Sequence, residues 1–447
     1  FERCRLTGTI VADRHMLYIS MQIESGCHMD CIHIHGGKPL EGEAAVQGSK
    51  NGALVLVTAT VLIKGQTVLY NCPQITDMDE MLGLLKTLGC RVKREGAAVI
   101  IDASSLHTSD CPAKQVRAMR SSVMLLGPLL GRCGSVSMER PGGCMIGKRP
   151  VDIHETALTC MGVRFRKDEK QILAETEGLK GAEICLPFPS VGATENVLMA
   201  AVLAEGTTVL YNAAQEPEIT QLCHFLNEAG AKITGVGTNC LTISGVGKLQ
   251  PVTFTVMPDR IVAGTYLLAG AATRGIVTVK NAPVRQLTSL LDVLRKMGAV
   301  VRYEENAVVL DAARAGKPVP SLRTAVYPGF PTDLQSMLAA VLTRAEGSSA
   351  IEETIFEDRF KIVRELQKMG ADLKVENNRK LRIYGVTKLY PARLTACELR
   401  GGAALVVAAL MAEGESKITG CDYIRRGYED ICRDLRLLGA DVEEKRE

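Results

Sequence analysis

An excess of charge of either sign is missing from this sequence: Lys plus Arg number 53 against 50 for Asp plus Glu, a formal net charge of +3. So small a surplus, spread along the chain, excludes a polybasic binder of nucleic acid or membrane surface. Long hydrophobic runs are missing too. The longest, Ala53 to Ile63 and Ala403 to Ala412, fall short of the roughly 18 residues that span a bilayer and read as buried helices. Evenly spaced cysteines are also absent. Fifteen is an odd number at irregular spacings, so reduced thiols in a cytoplasmic protein are expected rather than disulfides. No apolar signal-peptide core opens the chain, because Asp13, Arg14 and His15 interrupt it. Residues 1–28 are read as an extension or artefact, expected to be disordered, with Met29-Asp30 as a natural start. Cys27, His28, Cys31, His33 and His35 have no CxxC pair or second ligand cluster downstream, so no metal is expected there.

What is present is a globular composition, 46% hydrophobic over 447 residues, enough for two or three domains. The strongest signal is an internal repeat. A helix-like segment ending in glycine recurs at Gly89, Gly162, Gly230, Gly298, Gly370 and Gly439, at intervals of 73, 68, 68, 72 and 69 residues. A second series, Gly65, Gly134, Gly206, Gly275, Gly347 and Gly414, closes apolar runs ahead of β-branched stretches. Left-handed glycine ends a helix cheaply, so both series are expected to be caps. Each unit reads as an apolar helix, a strand, an amphipathic helix and two strands. The first amphipathic helix is expected at Asp77 to Leu88. Helices apolar on all sides must be covered, which puts them inside. Six units divide into a first domain at 50–257 and a discontinuous second at 29–49 plus 258–447. The opening Cys31 to Ser49 is expected to pair with the last unit.

The inner helices carry charge at their starts: Lys50 and Asn51, Arg117 and Arg120, Glu195 and Asn196, Asp259 and Arg260, Asp333, then Glu398 and Arg400. Charge at the mouth of a buried helix must face water or a ligand. Free N–H groups there suit phosphate or carboxylate. Ordinary capping accounts for any one of these charges. Their recurrence in six units points instead to a shared anion pocket between two facing domains. One loop, Pro141 to Pro150, breaks the repeat. It mimics a P-loop, but Arg149 stands where Ser or Thr must hold magnesium, which argues against nucleotide hydrolysis. Cys144 lies among glycines near Lys148 and Arg149, a setting that lowers a thiol pKa.

Eight segments carry a family resemblance: GSKN (48–51), RPGGCMIGKRPVD (140–152), FPSVGATEN (188–196), PDR (258–260), FPTDLQ (330–335), FEDRF (356–360), LRGGAALV (399–406) and RRGYE (425–429). From about Met29 onward the chain resembles the UDP-N-acetylglucosamine 1-carboxyvinyltransferases. The resemblance implies two inside-out α/β barrels, each of three βαβαββ units with helices inside. It implies transfer of an enolpyruvyl group from phosphoenolpyruvate to the 3-hydroxyl of UDP-N-acetylglucosamine, which opens peptidoglycan precursor synthesis. Cys144 would then protonate the vinyl carbon, and Asp333 would take the sugar hydroxyl proton. Lys50, Arg149 and Arg426 would bind the phosphate and carboxylate, with charge added by Arg120 and Arg400. Asn51, Arg359 and Glu398 would complete the wall. Arg149, Pro150, Val151, Asp152, Ile153 and Ile355 would touch the UDP-sugar. No metal or organic cofactor is implied, nor any nucleic-acid or membrane partner, and a monomer is expected. The Cys144 loop would act as a lid, its thiol open to alkylation by fosfomycin.

Two departures stand out. Glu398 replaces the family's frequent Asp and reaches one methylene further, and Arg425 replaces a frequent Asp beside Arg426, where it bears on that arginine's pairing. Two other readings remain in view at this point. One is the sister transferase acting on shikimate 3-phosphate. The other is a non-catalytic paralogue that binds UDP-sugars.

Overall fold

The computed structural model describes residues 30–141, 147 and 150–446. The opening segment 1–28, with Cys27 and His28, and the loop residues Cys144, Lys148 and Arg149 lie outside the described residues. Six small sheets surround two groups of buried helices, one per repeat. The first inner helix, Lys50–Ala59, is buried from Gly52 to Ala59. Its counterparts Val191–Ala201, Arg260–Ala272, Thr332–Leu342 and Leu399–Met411 are covered nearly all round. Their Ala, Val and Leu side chains leave no polar face to solvate, so only burial among other elements makes them stable. The outer helices are amphipathic. Thr76–Thr87 turns Met78, Met81, Leu82 and Leu85 inward together with Asp77, leaves Asp79 and Lys86 exposed, and begins one residue earlier than its pattern predicts.

Five sheets share one plan, and the strands Gln66–Tyr70, Arg91–Glu95, Ala98–Asp102 and Thr253–Thr255 show it. A parallel edge strand, Thr253–Thr255, is followed by a central strand and two antiparallel ones. That edge strand is borrowed from far down the chain. Likewise, Glu41–Ala45 comes from far up the chain as the parallel edge beside Ile276–Lys280 in the fourth unit. Asp30–Gly36 lies antiparallel between Gly414–Thr419 and Asp441–Arg446 of the last unit. The opening segment therefore serves two units, not the last alone. In the sixth sheet the parallel edge shrinks to a single bridge between Asp110 and Ser137.

Two cores result. One gathers Ala53 through Val256; the other joins Ile32 to Val46 with Ile261 to Val442. The chain passes between them twice, side by side. Gly48 bridges Pro258, the Ser49 N–H donates to the Met257 carbonyl at 2.7 Å, and the Asp259 N–H donates to the Gln47 carbonyl at 2.9 Å. A Cβ on Gly48 would lie 1.7 Å from the Asn71 carbonyl oxygen, so only glycine lets the crossings sit this close.

The glycines ending the amphipathic helices all hold φ between 85° and 106°. The second series departs from the expected caps: Gly134 ends its helix, but the other inner helices are capped by Thr60, Val202, Thr273, Thr343 and Ala412, ahead of their glycines, and Gly275 is not left-handed. Arg274 takes φ 54° instead, and Gly275 is needed because a Cβ would meet the Leu40 carbonyl oxygen at 2.1 Å. The second inner helix departs further. Pro128 cannot donate back into a preceding turn, and Met119 is extended at φ −142°. The segment divides into Ala113–Ala118, a 3-10 turn Arg120–Leu125, and Leu126–Cys133. Arg117 thus lies in a last turn, not a first, and pairs with Glu139 at 2.9 Å on the surface. Among the described residues, no helix is long and apolar enough to cross a membrane.

Candidate active site

The first turns of four inner helices meet beside the paired crossings. Ser49 caps Lys50–Ala59 by accepting the Gly52 N–H at 3.1 Å. That fixes Lys50, whose backbone N–H donates to Asp259 at 2.9 Å and whose ammonium lies 2.6 Å from Asp77. Arg426 reaches the same carboxylate from the other core, Nε to Oδ1 at 2.8 Å and Nη2 to Oδ2 at 3.2 Å. Asp77 is 3% exposed. Burial alone would raise its pKa, but Lys50 and Arg426 outweigh that and hold it below the ordinary value. For Lys50, burial is the stronger influence and lowers its pKa despite Asp77, with Arg400 and Arg426 pressing the same way.

Asp333 forms the second focus, in the first turn of Thr332–Leu342. Arg359 donates to it at 2.5 Å and Arg400 at 3.1 Å. Burial works to raise its pKa, yet Arg400, Arg359 and Arg260 together hold it well below the usual carboxylate range. Both arginines are buried, while 27% of the Asp333 side chain stays open. Arg359 Nε and Arg400 Nη1 are buried N–H donors with no hydrogen-bond partner among the described residues. Buried donors that find no partner in the chain are suited to an anion supplied from outside. Arg400 also acts electrostatically on Lys50, so the two foci form one cationic field.

Other residues singled out from the sequence take more varied places. Asn51 follows Lys50 on its first turn, half-buried. Arg120 donates to the Pro141 carbonyl at 3.4 Å, at the root of the glycine-rich loop. Farther along that loop, Gly147 crosses to the other core, where a Cβ on it would lie 3.3 Å from the Glu357 backbone nitrogen. Pro150 and Asp152 are exposed, Val151 is buried, and Ile153 is half-buried at the start of Asp152–Cys160. Ile355 is half-buried, its N–H donating to Glu353 at 2.8 Å. Glu195 and Asn196 stay inside the first core, where Asn196 accepts the Gly127 N–H at 2.6 Å.

Both departures have a structural outcome. Glu398 spends its extra methylene turning back to cap its own helix, accepting from the Arg400 and Gly401 N–H groups. It still stands 3.8 Å from Arg359. Arg425 points away from Arg426, onto Asp30 at 2.5 Å, Asp422 at 2.8 Å and Glu444. Arg426 keeps its two-point pair with Asp77, so the disturbance expected from the sequence does not occur. Asp77 itself escaped the sequence reading. It looked like any acid placed to favour a helix N-terminus, and nothing local marks it otherwise. Among the described residues, no group of three His, Cys, Asp or Glu side chains is placed to hold a metal ion.

These pKa shifts have a direct consequence for stability. Asp77 and Asp333 both titrate lower in the folded chain than the usual carboxylate near 3.9. Their stabilisation is complete above that value and is lost as pH falls through and below it. Thermal midpoints should therefore fall on acidification below about pH 4. That acid-side loss should be shallower in Asp333→Asn, as calorimetry across pH 2–7 would measure.

A model of the EPSP synthase (3-phosphoshikimate 1-carboxyvinyltransferase) family matches residues 34–435. The chain is 45% identical over 414 residues to UDP-N-acetylglucosamine 1-carboxyvinyltransferase 2 of Caldanaerobacter subterraneus, covering 93% of this chain and 99% of that one. It is 41% identical over 419 residues to UDP-N-acetylglucosamine 1-carboxyvinyltransferase 1 of Staphylococcus aureus, with the same shares. Among solved structures, the enolpyruvyl transferase NikO from Streptomyces tendae superposes with a TM-score of 0.84 at 26% identity, covering 94% of this chain and all of that one. EPSP synthase from Acinetobacter baumannii superposes at 0.71 and 19% identity over the same shares, a likeness of fold.

Proposed function

This chain belongs to the EPSP synthase family of enolpyruvyl transferases, and from that premise we propose that it transfers the enolpyruvyl group of phosphoenolpyruvate to the 3-hydroxyl of UDP-N-acetylglucosamine, releasing phosphate. The observation that carries the reading is Asp333 flanked by Arg359 and Arg400, whose Nε and Nη1 groups, respectively, are buried without a partner among the described residues. An anionic substrate there satisfies them, and the open face of Asp333 meets an acceptor hydroxyl. The choice of acceptor follows the relatives at 41–45% identity, which are named for the UDP-sugar.

In this reading Lys50, Arg426 and Arg149 hold the phosphate and carboxylate of phosphoenolpyruvate, with Arg120 and Arg400 adding charge. Asn51, Glu398 and Arg359 close the wall. The UDP-sugar lies against Pro150, Val151, Asp152, Ile153 and Ile355. The sugar oxygen bonds to C2 as its proton passes to Asp333, while the Cys144 thiol gives its proton to C3. Elimination then removes a proton from C3 and breaks the C2–O bond to phosphate. Cationic donors stabilise the charge that develops on the departing oxygens. Residues 50–257 and 29–49 plus 258–447 act as two domains, closing at the paired crossings with the Cys144 loop as lid. A monomer in the cytoplasm suffices, since both foci come from one chain. Incubation with phosphoenolpyruvate and either UDP-N-acetylglucosamine or shikimate 3-phosphate tests the reading by phosphate release. Release with the UDP-sugar is expected; release with shikimate 3-phosphate alone would overturn it.

A further inference from the structure

Asp77 lies on an outer helix and outside every segment that carries the family resemblance, yet it is among the most enclosed carboxylates next to the cationic field. We propose that Asp77 is a positioning residue for phosphoenolpyruvate: it ties the Lys50 ammonium and the Arg426 guanidinium, one from each core, into a single fixed cation pair. The proposal rests on the transferase reading above.

Its geometry is specific. Lys50 approaches at 2.6 Å while Arg426 lays its planar fork on both carboxylate oxygens, at 2.8 and 3.2 Å. A two-point pair fixes the guanidinium plane, which a single contact leaves free to turn. The segment carrying Arg426 is held as well. Gln47 grips both sides of Tyr428, donating to the Gly427 carbonyl at 3.2 Å and accepting the Glu429 N–H at 2.9 Å. Glu429 in turn accepts the Gln74 N–H at 2.8 Å, three residues before Asp77. Carboxylate and arginine are thus stitched together from both ends.

Charge gives the arrangement its purpose. Asp77, Arg400 and Arg426 act on the Lys50 ammonium, and Asp259 accepts its backbone N–H. Of these side-chain charges on the ammonium, only Asp77 favours the protonated form; burial and both arginines oppose it. Without Asp77 the lysine sheds its proton more readily, and the phosphate loses a cation. An ordinary tie between two halves would add stability without favouring one substrate. A positioning carboxylate governs phosphoenolpyruvate alone.

The test compares unaltered enzyme, Asp77→Asn and Asp77→Glu by phosphate release, varying each substrate separately and repeating across pH. Asp77→Asn should raise KM for phosphoenolpyruvate about ten- to a hundredfold. KM for UDP-N-acetylglucosamine should stay within about twofold, and the alkaline limb of kcat/KM for phosphoenolpyruvate should move to lower pH. Asp77→Glu should recover part of the loss. Equal rises in both KM values, or none, would overturn the proposal. If Asp77→Asn does not fold, Asp77→Glu carries the same comparison, and an unchanged kcat/KM for phosphoenolpyruvate in it is refuting. Unaltered protein that releases no phosphate with either acceptor refutes the transferase reading. Unaltered protein that turns over, beside an Asp77→Asn enzyme of unchanged KM, refutes only the role of Asp77.

Discussion

Asp333→Asn should lower kcat for phosphate release by about two to four orders of magnitude, the range expected on losing a positioned general base. The amide keeps the size and shape of the carboxylate, but its one oxygen accepts from only one of Arg359 and Arg400, which Asp333 engages through separate oxygens, and the capacity to take a proton is lost. Burial would make Asp333 a stronger base, but Arg400, Arg359 and Arg260 hold its pKa well below the usual range, which makes it a poor one. A base so restrained has little driving force to take a hydroxyl proton. The hold must loosen during the cycle, and the substrate supplies the means. On the proposed reading, an anionic substrate arriving at Arg359 Nε and Arg400 Nη1, which lack a partner among the described residues, would draw off the charge that steadies Asp333. On that reading the substrate would strengthen the base that acts on it. Arg400→Ala should mirror this, weakening phosphoenolpyruvate binding while raising the Asp333 pKa. Steady-state assays of Asp333→Asn with both substrates saturating give the result directly. A kcat within about threefold of the unaltered enzyme would remove Asp333 from the proton path.

Much of this architecture could be read from the chain because helix ends carry their own chemistry. Glycine at Gly89, Gly162, Gly230, Gly298, Gly370 and Gly439 is required by a left-handed backbone, so the repeat stays visible however the intervening residues vary. Helices apolar on every side could only lie inside. Lys50, Asp333, Glu398 and Arg400 stood out because charge at the mouth of such a helix has few alternatives. What escaped was set by residues distant in sequence. Nothing near Asp77 indicates that its partners are Lys50 and Arg426, because the folded chain alone brings them together. Arg425 was judged by its neighbour Arg426, whereas Asp30 and Glu444, from opposite ends of the chain, decide its direction. Pro128 was legible as a breaker, but an apolar run masked it, and so Arg117 was misplaced onto a helix start. Pairing of Thr253–Thr255 with Gln66–Tyr70, and of Glu41–Ala45 with Ile276–Lys280, each across roughly two hundred residues within one core, is likewise a choice that no local pattern records.

Cys144→Ser should all but abolish phosphate release. The argument begins with the reaction: adding an oxygen to C2 of a vinyl group requires a proton delivered to C3 at nearly the same moment. The donor must be protonated at working pH yet ready to let go, and that balance is best when its pKa lies near ambient pH. A thiol begins near 8.5, close enough to ambient pH for that balance. A serine hydroxyl of similar size holds its proton far too tightly, so the substitution retains shape and removes function. The described parts of the loop link the two cores. Its root is held by Arg120 at the Pro141 carbonyl, and Gly147 has crossed to Glu357 on the other core. The same nucleophilic sulfur should open the epoxide of fosfomycin, forming a carbon–sulfur bond and an alkoxide that takes up a proton. Intact-mass spectrometry should show one adduct on the unaltered protein, placed on Cys144 by peptide mapping, and none on Cys144→Ser. Turnover by Cys144→Ser within about tenfold of the unaltered enzyme would mean that the vinyl carbon takes its proton from another group.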